Sequence, residues 1–287
     1  MNLKYKTFGG LRSRGIFKNS SKTKPLISVI TVVLNGRKYL EETISSIIKQ
    51  TYKNVEYIII DGGSTDGTID IIRQYDDFID FWISENDNGL YNAMNKGITL
   101  SRGDFVGFVG SDDYLYQNSL EKIATAAEKH SFDYTVGPVD IINENRKIVE
   151  KIKVLPNFLS KNRFIFDMAT HHLSFYVSRK IINDVNFFDE SFKIRSDYDM
   201  TIKVISASKK YMSFGDSIGA FRKGGISGSY KSYFENFCIL KKHGISIFKR
   251  ILNIFPSLIK VFIMNNFPSP IIKLLRQKFG SGRFTKF

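Results

Sequence analysis

The apolar run Phe105 to Val109 passes without a break into Gly110-Ser111-Asp112-Asp113. Adjacent carboxylates at the end of a buried strand repel each other unless a cation holds them. Hard oxygen donors suit a divalent ion that also carries phosphate oxygens. In open α/β sheets that end of a strand faces the ligand crevice. The same pair serves equally as a plain cap on the next helix, because Asp is a preferred N-cap residue. A second chemistry-bearing stretch is Asp61-Gly62-Gly63-Ser64-Thr65-Asp66-Gly67. Between a strand and a helix its glycines expose backbone N–H groups, which suits an anion or a nucleoside. It also fits an ordinary turn rich in Asp and Gly. Neither GxGxxG nor GxxxxGK[ST] occurs, which disfavours dehydrogenase and P-loop NTPase readings.

The elements that must position these residues are readable. Ile27 to Leu34 (ISVITVVL) is a β-branched run bounded by Pro25 and Asn35-Gly36, the pattern of a fully buried parallel strand. Leu40, Ile44, Ile47 and Ile48 recur at helical spacing. Strands at Val55 to Ile60, Phe81 to Ser84 and Phe105 to Val109, with helices near Ile69 to Ile72 and Leu90 to Leu100, complete an alternating series. Such a series implies a doubly wound, mostly parallel α/β sheet. Further strands are expected at Tyr134 to Val139, Lys147 to Val154 and Ser174 to Val177. Helices are expected from Asp197 to Ser208 and from about Tyr230, after the loop Gly224 to Ser229.

The net charge of +14 is unevenly spread. Residues 1–24 carry seven Lys or Arg and residues 241–287 carry ten, neither with any acid, leaving 25 basic against 28 acidic residues between. A nucleic-acid groove built into the fold is therefore not expected, and tails that meet an anionic surface are. The expected organisation is a basic extension over 1–24, a catalytic domain over 25–240 and a basic amphipathic tail over 241–287. In that tail Lys249, Arg250, Pro256 and Lys260 interrupt the apolar residues. It therefore reads as a helix lying on a membrane surface rather than crossing it, or as one packed on the domain. One cysteine, Cys238, excludes an intramolecular disulfide. Residues 1–24 contain no apolar signal region. The expected location is cytoplasmic, peripheral on the inner face of the cell membrane.

Taken together, ISVITVVLN (27–35), IIIDGGSTDGT (58–68), NDNGLYNAMNKGI (86–98) and FVGFVGSDD (105–113) resemble the catalytic domain of glycosyltransferase family 2, with its GT-A fold. HHLSF (171–175), SDYDM (196–200) and FRKGGISGS (221–229) resemble its bacterial polysaccharide-synthesis branch. The resemblance implies an inverting transfer from a nucleotide-sugar donor, UDP-linked, to a glycan or lipid-linked acceptor. It implies Mg²⁺ or Mn²⁺ held by Asp113, with Asp112 beside it on the donor. It places Leu34, Asp61, Ser64, Gly89, Tyr91 and Asn95 along the donor. Gly62 stands where many relatives carry a second Asp, and Leu34 where an aromatic residue is frequent. Asp197 matches the catalytic base, which takes the acceptor proton during attack; on its residue type alone it is also a helix cap. His171 matches a residue near the metal or diphosphate, although two adjacent His also fit one surface and one core residue. Arg222 reads as an acceptor-phosphate contact or a surface charge.

Two other classes compete. A nucleotidyltransferase acting on a sugar phosphate also sets carboxylates beside a nucleotide-binding sheet, but needs a Gly-rich basic loop where Asn35-Gly36-Arg37-Lys38 stands. A non-catalytic binding module would rest on the basic tails alone.

Overall fold

The computed structural model describes residues 7–154, 171–222 and 230–253. Four parallel strands form its centre: β2 (Ile27–Val33), β3 (Val55–Asp61), β4 (Phe81–Ser84) and β5 (Phe105–Phe108). They lie in the order β4-β3-β2-β5, joined through α1 (Leu40–Ile48), α2 (Thr68–Gln74) and α3 (Leu90–Leu100). The β-branched runs sit here because a central parallel strand is covered on both faces. Ile27, Val29 and Val33 pack with Leu40 and Ile44 on one face, and Ile30, Ile58 and Ile60 pack with Met94 and Ile98 on the other. Each fully buried Ile contributes about 1.5–3 kcal/mol from its removal from water.

The chain continues through β6 (Tyr114–Leu115), α4 (Ser119–Lys129), β7 (Tyr134–Val136), β8 (Val139–Ile142) and β9 (Ile148–Ile152). After a 3-10 turn at His172–Ser174 come β10 (Val177–Ser178), α5 (Arg179–Val185), α6 (Ser196–Ala207), β11 (Tyr211–Ser213), β12 (Gly219–Arg222) and α7 (Tyr230–Lys242). Strands β10, β7 and β11 extend the main sheet beyond β5, and β6-β12-β8-β9 form a second, smaller sheet. The expected strand Tyr134 to Val139 is broken at Gly137-Pro138, and its two halves belong to different sheets. Proline has no N–H to give to a ladder and marks the break. Of the expected strand Ser174 to Val177 only Val177 lies in a strand, β10; Ser174 ends the 3-10 turn and the two residues between are irregular.

Residues 7–24, read above as a basic extension, are part of the domain. β1 (Thr7–Gly9) pairs antiparallel with β4, Phe8 opposite Ile83. Arg12 Nη1 lies 3.3 Å from Glu56 and Lys18 Nζ 2.8 Å from Asp80, both acids almost fully buried. These cations neutralise core carboxylates, which explains their place in the sequence better than an outside anionic surface does. The expected boundary at residue 240 also moves, because α7 runs to Lys242 and the bonds of Lys242 and His243 reach back to α6. The tail beyond Asn253, and the loop 223–229, lie outside the described residues. No described helix is long and apolar enough to cross a membrane.

Candidate active site

The loops after β2 and β3 are tied together at the carboxyl end of the sheet. Asp61 is fully buried. Its Oδ2 accepts from the Gly63 and Ser64 N–H groups at 3.2 and 3.1 Å and from Ser84 Oγ at 2.6 Å, and its Oδ1 accepts from Ser64 Oγ at 2.5 Å. The carboxylate thus shapes the loop, and Gly63 (φ +87°) supplies a turn that a side chain would strain. Ser64 Oγ accepts from Asn35 N at 2.7 Å, and Asn35 Oδ1 accepts from Thr65 N at 2.9 Å. Leu34 is 60% exposed at the rim. A Cβ on Gly62 would meet Asp87 Oδ2 at 2.5 Å, so the missing second Asp of this loop has a carboxylate standing in its place. Asp87 was missed from the sequence although it lies in the quoted segment 86–98. The signal was the loss of the acid at Gly62 beside an extra acid on the neighbouring strand's loop.

Gly36 N donates to Thr68 Oγ1 and Arg37 N to Asp66 Oδ2. The loop that a nucleotidyltransferase would wrap around phosphates has therefore spent these N–H groups inside the protein.

At the end of β5 the two acids face different surroundings. Asp113 is 2% exposed; its Oδ1 accepts from Arg222 N at 3.0 Å and its Oδ2 lies 3.3 Å from His172 Nε2. Asp112 is exposed, and its carboxylate takes a hydrogen bond only from its own backbone among the described residues. Loss of water, and then the charge of Asp113, push the Asp112 carboxyl upward from its usual range. A site that raises a carboxyl in this way favours a cation. Arg222 is neither an acceptor contact nor a surface charge. It is buried, donating to the Asp112 carbonyl (3.1 Å) and Glu42 (2.8 Å), with its guanidinium 4.0 Å over the Tyr39 ring.

The expected metal ligand His171 is not the histidine at Asp113. Its ring lies 4.1 Å from the His172 ring and 4.7 Å from that of Phe221, and its Nδ1 faces Leu173 N at 3.4 Å. Burial, then the neighbouring His172, keep its pKa well below the ordinary imidazole range. The 3-10 turn sends His172 to Asp113 and folds His171 under Phe221. Among the described residues no three His, Cys, Asp or Glu gather to enclose an ion. The donor set fits Mg²⁺ or Mn²⁺ shared between one or two carboxylates and a diphosphate, not an all-protein cage.

Asp197 lies in the first turn of α6, where Arg195 holds the cap position, so it is not the helix cap. Half-buried, its Oδ1 accepts from Tyr198 N at 2.9 Å and lies 3.3 Å from Tyr91 Oη. It lines a narrow cavity of about 30 Å³ together with His172, Phe108, Phe188 and Thr201. Asp199 faces away, as its helical offset requires. It is fully buried; burial pushes its carboxyl up, but hydrogen bonds from His243 (2.8 Å), Lys203 and Lys242 outweigh this and hold it well below the carboxylate range.

Two residues expected along the donor are used internally. Asn95 gives its amide to the Phe188 carbonyl (3.0 Å) and Glu190 (2.9 Å), and its Oδ1 accepts from Phe188 N. Tyr91 is 4% exposed, with its hydroxyl donating to the Ile194 carbonyl at 2.8 Å; burial and then the Asp197 charge raise its pKa. Both hold the segment that leads into α6. Gly89 (φ +110°) opens α3 and has nothing within 4 Å of where a side chain would begin.

Comparison with known proteins bears on the fold and the family. The chain is 42% identical over 102 residues to a putative teichuronic acid biosynthesis glycosyltransferase, TuaG, of Bacillus subtilis, covering 34% of this chain and 40% of that protein. It superposes on S. aureus TarS 1-349 in complex with UDP-GlcNAc with a TM-score of 0.63 at 22% identity, over 76% of this chain and 65% of that one. The mannosyltransferase PcManGT of Pyrobaculum calidifontis, in complex with GDP-Man and Mn²⁺, superposes with a TM-score of 0.58 at 16% identity, over 93% and 84% of the two chains. The chain spans less than two thirds of the length of the Rickettsia glycosyltransferases it matches, between 28% and 61%. Residues 28–192 match the model for Glycosyl transferase family 2, and with that match over more than half its length the chain belongs to glycosyltransferase family 2.

Proposed function

We propose that the protein is an inverting, metal-dependent glycosyltransferase that moves a hexosyl or N-acetylhexosaminyl group from a UDP-sugar to a lipid-linked glycan in bacterial surface polysaccharide synthesis. One observation carries the reading: Asp197 lines the same cavity as His172, whose imidazole bonds Asp113. His172 thus links the cavity beside Asp197 to the Asp112-Asp113 turn, which supports a base and a phosphate-end carboxylate pair acting on one substrate. Asp197 takes the acceptor hydroxyl proton at its carboxylate as that oxygen attacks the anomeric carbon. A single base of this kind is what an inverting displacement requires.

Asp112 offers the open carboxylate, while Asp113 is held by Arg222 N and His172 and orients the turn. The ligand role expected of Asp113 therefore suits Asp112 at least as well. Bound there, Mg²⁺ or Mn²⁺ would offset charge developing on the leaving diphosphate. The laced loops of Asn35, Asp61 and Ser64, with Leu34 and Asp87 at their rim, form the floor for the nucleoside. UDP is favoured by the UDP-GlcNAc held by TarS, and a polysaccharide product by the name of TuaG.

Attachment to an anionic membrane is supported by the stretch after α7. Ile247, Phe248, Ile251 and Leu252 are exposed there, within a region that carries Lys and Arg but no acid.

The test is a panel of UDP-GlcNAc, UDP-Glc, UDP-Gal and GDP-Man with Mn²⁺, read by thermal shift. At a hundredfold excess over Kd a true donor stabilises by roughly 2.7 kcal/mol. If no nucleotide sugar raises Tm with Mn²⁺ over Mn²⁺ alone, the donor reading fails.

A further inference from the structure

The segment just before α6 is held by a residue from a different helix. Glu235, half-buried on α7, accepts three consecutive backbone N–H groups: Lys193 at 2.8 Å on Oε1, and Ile194 at 2.9 Å and Arg195 at 2.8 Å on Oε2. The next residue on α7, Asn236, accepts from Arg195 Nε at 2.8 Å. The first N–H groups of any helix lack partners within it, and a carboxylate there is also favoured by the helix dipole. Arg195, at the cap position of α6, supplies no side-chain cap of its own. The carboxylate of Glu235 instead takes the three N–H groups just ahead of the helix, at 193–195, and so fixes the turn that leads into it.

These bonds end two residues from Asp197. The Ile194 carbonyl, in the peptide chain that Glu235 grips, accepts the Tyr91 hydroxyl, and the same hydroxyl is 3.3 Å from Asp197 Oδ1. Docking of α7 does not depend on this contact alone. Ile239 and Leu240 pack with Tyr198 and Ile202, and Lys242 and His243 bond Asp199 one turn further along. Removing the Glu235 carboxylate therefore loosens the 193–195 backbone while the two helices stay together.

We infer that Glu235 is a positioning residue for the general base: it fixes the peptide segment that sets where the Asp197 carboxylate stands. This rests on Asp197 being the base. The side chain touches no reacting atom and acts only through the backbone it holds. A displacement of about 1 Å in a catalytic group costs on the order of 100-fold in rate, so a loosened segment is expected to cost roughly 10- to 100-fold.

The test uses the full chain with Mn²⁺ and UDP-GlcNAc, or whichever of the four nucleotide sugars gives the largest thermal shift. Calorimetry gives donor affinity and stoichiometry, and UDP release to water gives the rate. Glu235→Gln keeps the shape but turns one acceptor oxygen into a donor. It should bind donor with wild-type stoichiometry and affinity and release UDP more slowly by the factor above, with Glu235→Asp in between. In an Asp197→Asn background, Glu235→Gln should cost nothing further, because groups that act as a unit are not additive. A wild-type rate in Glu235→Gln overturns the proposal, and so does an equal loss in both backgrounds. Loss of donor binding in both Glu235 variants makes the contact a folding element and also overturns it. If Asp197→Asn alone keeps the full rate, it is the base assignment that falls.

Discussion

Replacing Asp199 by Asn tests how α6 is held to α7. The carboxylate is wholly buried and meets two lysines and a histidine: Lys203 within its own helix, and Lys242 and His243 from α7. Removing one partner of a buried ion pair costs about 3–5 kcal/mol, because the remaining charge is stranded. Here the stranded groups are 19%, 38% and 19% exposed and regain some water, which points to the lower end, about 3 kcal/mol. For a domain of this size about 2–4 °C is lost per kcal/mol, so Tm should fall by roughly 6–12 °C. The sign with pH follows from the depressed carboxyl. Its stabilisation is complete above the unfolded value near 4 and is lost as pH falls below it. The Tm difference between wild type and variant should therefore be larger at pH 7 than at pH 3 and shrink as pH falls through about 4. Donor affinity should stay unchanged, since no partner of Asp199 lines the cleft. Differential scanning calorimetry over that pH range checks all three points. A variant within 1 °C of wild type at pH 7, or a gap that widens in acid, would refute the reasoning.

Asp112→Ala should abolish the Mn²⁺-dependent part of donor binding and leave Tm intact, whereas Asp113→Ala should lower Tm as well because Arg222 N loses its acceptor; parallel calorimetry and melting separate them. Asn95→Ala should destabilise by about 1–3 kcal/mol through unpaired groups at Phe188, with donor Kd unchanged in titration. A stop after Gly244 should release the protein from anionic vesicles in flotation while keeping donor binding, because it spares Lys242 and His243; retained flotation would place the membrane contact elsewhere.

The parallel centre was legible because β-branched runs of seven residues and helical apolar spacing have no other reading of equal quality. The pair at 112 and 113 stood out because it ends such a run, whereas Asp197 was singled out only by the resemblance of SDYDM. What was illegible depended on partners distant in sequence. Nothing local tells His171 from His172; the 3-10 turn and Phe221 decide it. Arg12 and Lys18 read as tail charge because Glu56 and Asp80, which they neutralise, lie far along the chain. Asn95 and Tyr91 carry polar groups that could meet a ligand, yet the 188–194 segment takes them up. The Gly137-Pro138 break shows how one missing N–H splits what looked like a single strand.

The three-residue strand β1 has a further consequence for the edge of the main sheet. Strand β4 presents Phe81, Trp82 and Ile83, nearly all of their surface shielded, and is the margin of the parallel array. A bare margin of that kind, with unpaired N–H and C=O groups beside large apolar side chains, is a template for another molecule's strand. Residues 7–9 occupy it, and being so short they offer little new ladder of their own. The adjoining Arg12, Arg14 and Lys18 surround the margin with charge. A chain shortened to begin at residue 25, as its composition invites, would bare this template for edge-to-edge pairing and at the same time strand the buried Glu56 and Asp80 without their cations.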